Sequence, residues 1–230
     1  MQTIESIIRN LLSENVSIWG IANMENTPSH PYPELKRAIV FGLALNREVI
    51  RNLDSGPHQA YIDECNMANE KLTSIGMELE KKLQQMDYRA ISMTASTSDI
   101  NEKKLEAEFP HKTTATKSGL GWVGKCDLLV TKEFGSALRL NTVFTDAHLK
   151  AGNPMEKSLC GTCSNCIDNC PVNAPTGKQW DPSVHRDEII DIQRCYGECQ
   201  RASKKINFDH PLCGRCIIAC PWTQKYVCEV

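Results

Sequence analysis

The sequence predicts an α+β protein with two domains. Apolar residues recur with strand and helix periods over the first two thirds of the chain, which indicates an α/β domain. Most of the 12 cysteines lie in the last third, so a smaller domain built around metal ligands is expected there. A turn-rich link at residues 151–154 separates the two regions. We therefore place the α/β domain at residues 1–152 and the cysteine-rich domain at residues 153–230.

The α/β domain is predicted to combine amphipathic helices with several strands. Residues 1–14 carry apolar side chains at helical spacing. A helix of about thirty residues is expected from His58, because one apolar stripe continues along it. Apolar runs of strand length are predicted to form a sheet. They occupy residues 16–22, 38–45, 89–94, 127–131 and 137–144.

The main motif of the cysteine-rich region has the spacing C-x2-C-x2-C-x3-C-P. Its members are Cys160, Cys163, Cys166 and Cys170. This spacing is that of one half of a bacterial ferredoxin, in which three cysteines bind one iron–sulfur cluster and the fourth binds another. A second, partial run consists of Cys213, Cys216 and Cys220. We therefore predict a ferredoxin-like domain with two [4Fe–4S] clusters.

Two such clusters need eight ligands, and the two runs provide seven. The candidates for the eighth are Cys195, Cys199 and His210; the two cysteines share a face of a helix predicted at about residues 183–204. Thiolate is the usual ligand of such clusters, which makes His210 the weakest candidate. One predicted cluster is bound by Cys160, Cys163, Cys166 and Cys220. The other is bound by Cys170, Cys213, Cys216 and either Cys195 or Cys199.

Charge and composition limit the classes of function. A formal net charge of −2 gives no electrostatic basis for binding nucleic acid. The N-terminal residues do not form a signal peptide, and no apolar stretch approaches the ~20 residues that cross a membrane. We therefore expect a cytoplasmic protein without a membrane partner, whose clustered cysteines bind metal rather than form disulfides. Zinc is the rival metal, but paired C-x2-4-C units do not explain the fourth cysteine of the first run.

A second motif lies before the link, where three glycines surround a tryptophan. They are Gly119, Gly121 and Gly124, with Trp122 between them. Glycines in this pattern indicate a tight turn or a close backbone approach to a bound group. A purely structural turn is the commoner explanation, and Trp122 can be either a core residue or a stacking surface. The dinucleotide-binding fingerprint is not matched.

In their order along the chain, these motifs resemble the epoxyqueuosine reductase family. The matching residues are Gly119–Lys125, Phe134-Gly135-Ser136, Thr145-Asp146, the Cys160 run and Cys216-x3-Cys220-Pro221-Trp222. The resemblance implies a nitroreductase-like α/β domain that binds cobalamin, followed by a double-cluster ferredoxin domain. It also implies a relation to reductive dehalogenases.

The resemblance implies roles for individual residues as well. The glycine–tryptophan loop would lie against the corrin. The residues implied to bind the cofactor are Gly119, Gly121, Trp122, Gly124, Lys125 and Lys112. The family has a ligand cysteine at the position of Cys195, which favours Cys195 over Cys199.

Three features depart from the family pattern. The aspartate proposed as proton donor in the family falls at Leu105, with Glu106 and Glu108 nearby, so we assign no catalytic residue. The asparagine that usually follows Gly-Lys is Cys126 here. The chain stops after the second run, without the helical-repeat extension that helps some members hold tRNA. Together with the net charge of −2, these departures weigh against tRNA as the partner.

The sequence therefore predicts an iron–sulfur enzyme that passes low-potential electrons through two [4Fe–4S] clusters to a corrinoid on the α/β domain. Its expected substrate is a small molecule or a partner corrinoid protein, and its expected donor is a ferredoxin or flavodoxin. FMN is an alternative cofactor, because nitroreductase-like domains hold flavin. Two alternative functions remain, namely electron transfer without substrate chemistry and epoxyqueuosine reduction in tRNA queuosine synthesis.

Overall fold

The computed structural model describes residues 3–28, 30–96, 100–101, 104–107 and 109–228. The helices are α1 (Ile4–Asn15), α2 (Arg47–Arg51), α3 (Gln59–Gln84), α4 (His111–Lys117), α5 (Asn165–Asp168), α6 (Arg186–Ile189), α7 (Ile192–Lys204), α8 (Arg215–Ala219) and α9 (Pro221–Cys228). The strands are β1 (Ile18–Asn23), β2 (Arg37–Ala44), β3 (Ala90–Ser92), β4 (Ile100–Asn101), β5 (Glu106–Ala107), β6 (Trp122–Val123), β7 (Leu129–Val130) and β8 (Leu138–Thr145). The predicted α+β class is confirmed as a mixture of helices and strands.

Four strands form the main sheet in the order β1-β2-β8-β3. β1 and β2 pair antiparallel with Ile18 opposite Gly42, and β3 pairs antiparallel with β8 with Ala90 opposite Thr145. The centre of β2 is fully buried from Ala38 to Phe41. This burial on both faces explains why its sequence is a continuous apolar run rather than an alternating one.

One apolar core holds the sheet against two helices. Helix α1 contributes Ile8 and Leu12, which are one turn apart on its buried face. Helix α3 contributes the later part of its predicted stripe, and β2 and β8 contribute side chains from the sheet. The α3 and sheet residues of this core are Leu72, Ile75, Leu79, Leu83, Ile39, Phe41 and Val143. The stripe predicted from sequence is therefore the packing face of α3.

The chain divides into two compact units. The first, called here the sheet unit, comprises Met1–Ala44, Met67–Leu120 and Arg139–Met155. The second, called the cysteine unit, comprises Leu45–Asn66, Gly121–Leu138 and Glu156–Val230. The chain passes from the sheet unit to the cysteine unit for the last time after Met155, close to the predicted boundary after residue 152. Two earlier segments also belong to the cysteine unit, and because of them this unit contains all 12 cysteines of the chain.

The helix predicted at about residues 183–204 is wrong as a single element. It is interrupted between α6 and α7, where Ile190 is extended and forms a β-bridge with Pro175. Asp191 then caps α7 by accepting a hydrogen bond from the backbone N–H of Arg194 at 3.0 Å. In the sequence, this break is marked by two β-branched residues, Ile189 and Ile190, directly before the capping residue Asp191.

The predicted strand at residues 127–131 shortens to β7, which pairs with β6 in a hairpin. In its register, Trp122 lies opposite Val130 and Val123 opposite Leu129. A second hairpin, β4–β5, had no counterpart in the prediction. No helix of the described ranges is long and apolar enough to cross a membrane.

Candidate metal centre

The first cysteine run wraps around a single short helix, α5. The backbone N–H of Cys163 donates to the carbonyl of Cys160 at 3.0 Å, and Gly161 between them takes a left-handed φ of 54°. The N–H of Cys170 donates to the Ile167 carbonyl at 3.0 Å, and its sulfur accepts from the N–H of Ala174 at 3.3 Å. All four cysteines of this run are free and half-buried. The run is therefore a compact loop that is held by hydrogen bonds between residues close in sequence.

The second run enters helix α8 through a left-handed glycine. Gly214 has φ of 83°, and a Cβ there would meet the side chain of Leu53 at 3.1 Å. This turn separates Cys213, before the helix, from Cys216 in its first turn. Cys220 ends the helix in an extended conformation. The glycine between the first two cysteines thus gives this run its sharp bend.

The two runs approach each other through one cysteine of each, while the crossed ligand sets stay a prediction. Burial is the main cause that raises the pKa of Cys220, and the nearby Cys160 thiol raises it further. Cys160 is the first cysteine of its run and Cys220 is the last of the other. Their proximity is the arrangement expected when the last cysteine of one run completes the ligand set of the other.

The two candidate cysteines of α7 lie together. Their side chains hydrogen-bond, which lowers the pKa of Cys195 and raises that of Cys199. Cys213 lies close to this pair, and burial raises its pKa, with Glu198 and Cys195 adding to the effect. The structure therefore brings both candidates to the second run. The choice of Cys195 as the ligand stays a prediction.

Lys125 lies in the hairpin loop between β6 and β7. Its side chain is buried, and its ammonium donates to the carbonyls of Gly161 and Cys163, both at 2.9 Å. Sequence reasoning placed this lysine against a cofactor. In the structure, its charge holds the backbone of the first cysteine run, which is an attachment that no sequence spacing could have indicated.

Cys126 follows Lys125 in the same loop, and it too contacts the cysteine runs. The Cys166 thiol of the first run lowers the pKa of Cys126, but the Cys216 thiol of the second run and burial raise it well above its usual value. The residue is 6% exposed. By spacing alone it had no partner, and the only signal in the sequence was its departure from the family's asparagine.

The glycines of the loop are explained by close contacts within the chain. Gly119 has φ of 83°, and a Cβ there would collide with the carbonyl of Asn153. A Cβ on Gly121 would collide with the carbonyl of Val130 across the hairpin. A Cβ on Gly124 would meet the Val130 side chain at 2.8 Å. These positions need glycine for packing, and their role in binding a cofactor stays a prediction.

Trp122 is a core residue of the cysteine unit. It is 1% exposed, and its ring packs edge-on against Trp222 at 5.5 Å between centroids. Its indole N–H is buried without a hydrogen-bond partner among the described residues. Because buried donors are usually paired, this N–H in the cysteine unit is compatible with a bound group that accepts a hydrogen bond.

The remaining predicted residues lie elsewhere. Lys112 is half-buried in the first turn of α4, and His210 is exposed. Leu105 has a left-handed φ of 52° in the turn before β5, and Glu106 is the first residue of that strand. Glu108 lies outside the described residues. Within those residues, no group of three or more His, Cys, Asp or Glu side chains is arranged to hold a single metal ion.

The donor set of the cysteine unit fits iron–sulfur clusters. The two runs and the α7 pair provide nine thiols, and the runs approach through Cys160 and Cys220. Thiolates are the ligands that cubane clusters use, and the buried ammonium of Lys125 lies beside the loop that would carry their negative charge. A corrinoid finds less support in the loop itself, because Trp122 and Lys125 are buried within the protein.

Comparison with proteins of known sequence supports the resemblance. No protein-family model matches the chain. Epoxyqueuosine reductase of Aliivibrio fischeri is 29% identical over 185 residues, and that of Vibrio cholerae is 28% identical over 189 residues. Both alignments cover 74% of this chain and 44% of the relative, so the chain spans less than half the length of these relatives. The predicted resemblance to epoxyqueuosine reductases is confirmed.

Comparison with solved structures shows the fold. A crystal structure of epoxyqueuosine reductase superimposes with a TM-score of 0.63 at 19% identity, over 96% of this chain and 67% of that chain. A reductive dehalogenase, whose structure is described as suggesting a mechanism for B12-dependent dehalogenation, gives 0.68 at 19% identity, over 90% of this chain and 30% of that one. An epoxyqueuosine reductase crystallised with an epoxyqueuosine-modified tRNA stem loop gives 0.63 at 18% identity, over 96% and 66%.

Proposed function

We propose that the chain is an iron–sulfur oxidoreductase that delivers low-potential electrons to a corrinoid cofactor. The observation that carries the proposal is the approach of the two cysteine runs, with Cys220 beside Cys160. In this proposal Cys160, Cys163, Cys166 and Cys220 bind one [4Fe–4S] cluster. The second cluster is bound by Cys170, Cys195, Cys213 and Cys216. Bound clusters of this kind supply one-electron transfer.

Residues of this chain have definite tasks in the proposed site. Lys125 fixes the carbonyls of Gly161 and Cys163 and so orients the first run. Its charge also offsets the negative charge that ligand thiolates bring to a half-buried loop. The Trp122 N–H is a buried donor in the same unit. These groups act on the ligands by position and electrostatics.

The domain assignment belongs to the same proposal. We assign the cysteine unit a ferredoxin-like role and the sheet unit a nitroreductase-like fold, which is the division implied by the family. The corrinoid is supported by the fold shared with the B12-related dehalogenase, and FMN is the alternative that the fold class admits. A small molecule or a partner corrinoid protein is the proposed acceptor, with a ferredoxin or flavodoxin as donor.

The test is anaerobic reconstitution followed by three measurements on one sample. Iron and sulfide analysis should give about eight of each per chain. Absorption should then report corrinoid and flavin, and titration with cobalamin should change the cob(II)alamin EPR spectrum from that of the free cofactor. Iron near zero would sink the cluster proposal. Eight irons with an unchanged cobalamin spectrum at millimolar protein would sink the corrinoid part alone.

Epoxyqueuosine reduction is a second candidate, and the comparisons favour it more than sequence reasoning did. The relatives named epoxyqueuosine reductase align over most of this chain, and one structural neighbour was crystallised with a modified tRNA stem loop. The prediction that weighed against tRNA is therefore weakened. The test is expression in a strain that accumulates epoxyqueuosine, with tRNA nucleosides measured by mass spectrometry. Unchanged epoxyqueuosine with cluster-loaded protein present would exclude this substrate.

A further inference from the structure

Residues 45–61 form a segment of the cysteine unit, called here the strap, that is far in sequence from the cysteine runs. Helix α9, which follows the second run directly, holds the first part of the strap. The buried hydroxyl of Tyr226 donates to the Leu45 carbonyl at 2.9 Å, and Nε of Arg51 donates to the Val227 carbonyl at 2.8 Å. The strap is therefore attached to the part of the chain that contains the second run.

The strap also packs against the bend of the second run at Gly214, between Cys213 and Cys216. Gly214 is buried, and a Cβ there would meet the side chain of Leu53 at 3.1 Å and the ring of Tyr61 at 3.4 Å. Leu53 and Tyr61 are themselves buried. The strap thus covers the bend between these two cysteines.

Arg215, the next residue of this bend, binds the strap through its guanidinium. Its Nη2 donates to the Ser55 carbonyl at 3.1 Å, and its Nε lies 3.7 Å from the position that a Cβ on Gly56 would take. Gly56 has a left-handed φ of 105°, and its N–H donates to the Leu53 carbonyl at 3.0 Å, so a tight turn brings the backbone to the guanidinium. The half-buried side chain of Arg215 is therefore held in one place.

The position of this charge matters because Arg215 stands between two cysteines of the proposed second ligand set. It directly precedes Cys216, and the Cα atoms of consecutive residues are about 3.8 Å apart. The guanidinium stays within a side-chain length of its own backbone, which is comparable to the screening length of about 8 Å at physiological ionic strength. Its interaction with the charge of a bound cluster would therefore be only partly screened.

We propose that Arg215, held by the strap, raises the reduction potential of the cluster bound by Cys170, Cys195, Cys213 and Cys216. This inference rests on the proposed function, because it requires that cluster to be bound. Reduction adds one electron from the donor and makes the cluster more negative. A nearby cation favours the more negative state by Coulomb attraction, and the charge around a cluster is one of the factors that set its potential.

The sign of the shift separates this electrostatic role from a purely structural one. If Arg215 only held the strap in place, its loss would let water approach the second run. Solvent exposure also sets cluster potential, and water dipoles favour the more negative, reduced state. Release of the strap alone would therefore raise the potential, whereas loss of the positive charge lowers it.

The experiment compares Arg215→Met, which removes the charge and the donor, with Arg215→Lys, which keeps both. Each protein is reconstituted without oxygen, analysed for iron and titrated electrochemically with EPR detection of the reduced clusters. Both variants should retain about eight irons. In Arg215→Met the midpoint potential of the second cluster should fall while the first keeps its wild-type value, and Arg215→Lys should recover most of the difference. The signal that disappears in Cys213→Ala identifies the second cluster.

Lys132→Met is the control, since Lys132 is an exposed cation of the same unit, and both of its potentials should match the wild type. An unchanged or raised potential of the second cluster in Arg215→Met would overturn the charge role, and so would equal falls at both clusters. Loss of iron in that variant would also overturn it, because Arg215 would then be needed to form the site. Wild-type protein that binds no iron is a different result, which contradicts the proposed function itself.

Discussion

One residue of the β6–β7 hairpin loop, Lys125, holds the backbone of the first cysteine run in place. Lys125 is buried, yet its ammonium has two carbonyl partners, which satisfies two of its three N–H donors. A buried charge is tolerated when hydrogen bonds replace its lost hydration. The chain therefore uses one lysine to attach a loop with little apolar surface of its own.

Lys125→Met should weaken this attachment while keeping the side chain's length. Hydrogen bonds to charged groups contribute about 1.5–3 kcal/mol, so the loop at residues 160–163 should bind its cluster poorly. We expect iron per reconstituted chain to fall towards half of the wild-type value. Lys132→Met is the control, because Lys132 is exposed and close in sequence. Full iron content in Lys125→Met would mean that the run holds its shape without the lysine.

The eighth ligand can be settled by two matched substitutions on one helix. Cys195→Ala should lose one cluster and about half of the iron, because the proposed second ligand set needs that thiolate. Cys199→Ala should keep both clusters, with only the shared hydrogen bond removed. Iron content and the number of EPR signals after reduction measure the difference. The reverse pattern would make Cys199 the ligand.

At the level of elements, the β6–β7 hairpin depends on the absence of a side chain at Gly121. An added Cβ would meet the Val130 carbonyl, and this backbone group is fixed by strand pairing. Gly121→Ala should therefore destabilise the protein by about 1–3 kcal/mol, the usual cost of overpacking. Gly197→Ala is the matched control, because nothing lies within 4 Å of a Cβ there and alanine favours helix α7. Denaturant unfolding of both variants measures the contrast, and equal stabilities would refute the steric argument.

Helix α4 is attached to the sheet unit through a half-buried histidine. His111 bonds the Thr142 hydroxyl and the Thr94 carbonyl, both at 3.0 Å, and burial lowers its pKa from 6.5 to about 4. The Thr94 carbonyl fixes one ring nitrogen as the donor, which leaves the other to accept from Thr142. This assignment explains His111 as a packing residue of the sheet unit.

The direction of the pH effect follows from that lowered pKa. The folded protein favours the neutral form of His111. The stability that this residue contributes is therefore fully present above the unfolded-state pKa of about 6.5, and it is lost as the pH falls from there towards 4. Between pH 7.5 and 5 the melting temperature of the wild type should therefore fall more than that of His111→Gln. His148→Gln, at an exposed histidine of the same unit, should behave as wild type. Equal falls in all three proteins would contradict the assignment.

For the molecule as a whole, the sequence was informative wherever period or spacing carries the signal. The core stripe of α3, the buried strand β2 and the cysteine runs were all visible from such patterns. Contacts between segments distant in sequence were not visible. Lys125 reaches Gly161, and Cys126 reaches Cys216, through a hairpin whose strands are two residues long. Sequence spacing contains no information on such pairings, so the two earlier segments of the cysteine unit could not be assigned to it from sequence.

The division of cysteines between the units leads to a last prediction about metal removal. The sheet unit contains no cysteine and has its own apolar core around Phe41 and Leu72. The cysteine unit places its thiols on loops and short helices such as α5 and α8, where ligand binding would contribute much of the stability. Oxidative removal of iron should therefore reduce the protection of the backbone amides at residues 160–170 and 213–220 against hydrogen exchange.

Residues 39–41 and 143–144 of the sheet unit should stay protected, because their hydrogen bonds and packing involve no ligand. Hydrogen exchange measured by mass spectrometry on iron-loaded and iron-free protein separates these regions. Equal loss of protection in both units would mean that the sheet unit does not hold its structure alone. Unchanged exchange at the cysteine runs would mean that the loops keep their shape without metal, so that the unit is a preformed cluster site rather than one that folds on binding.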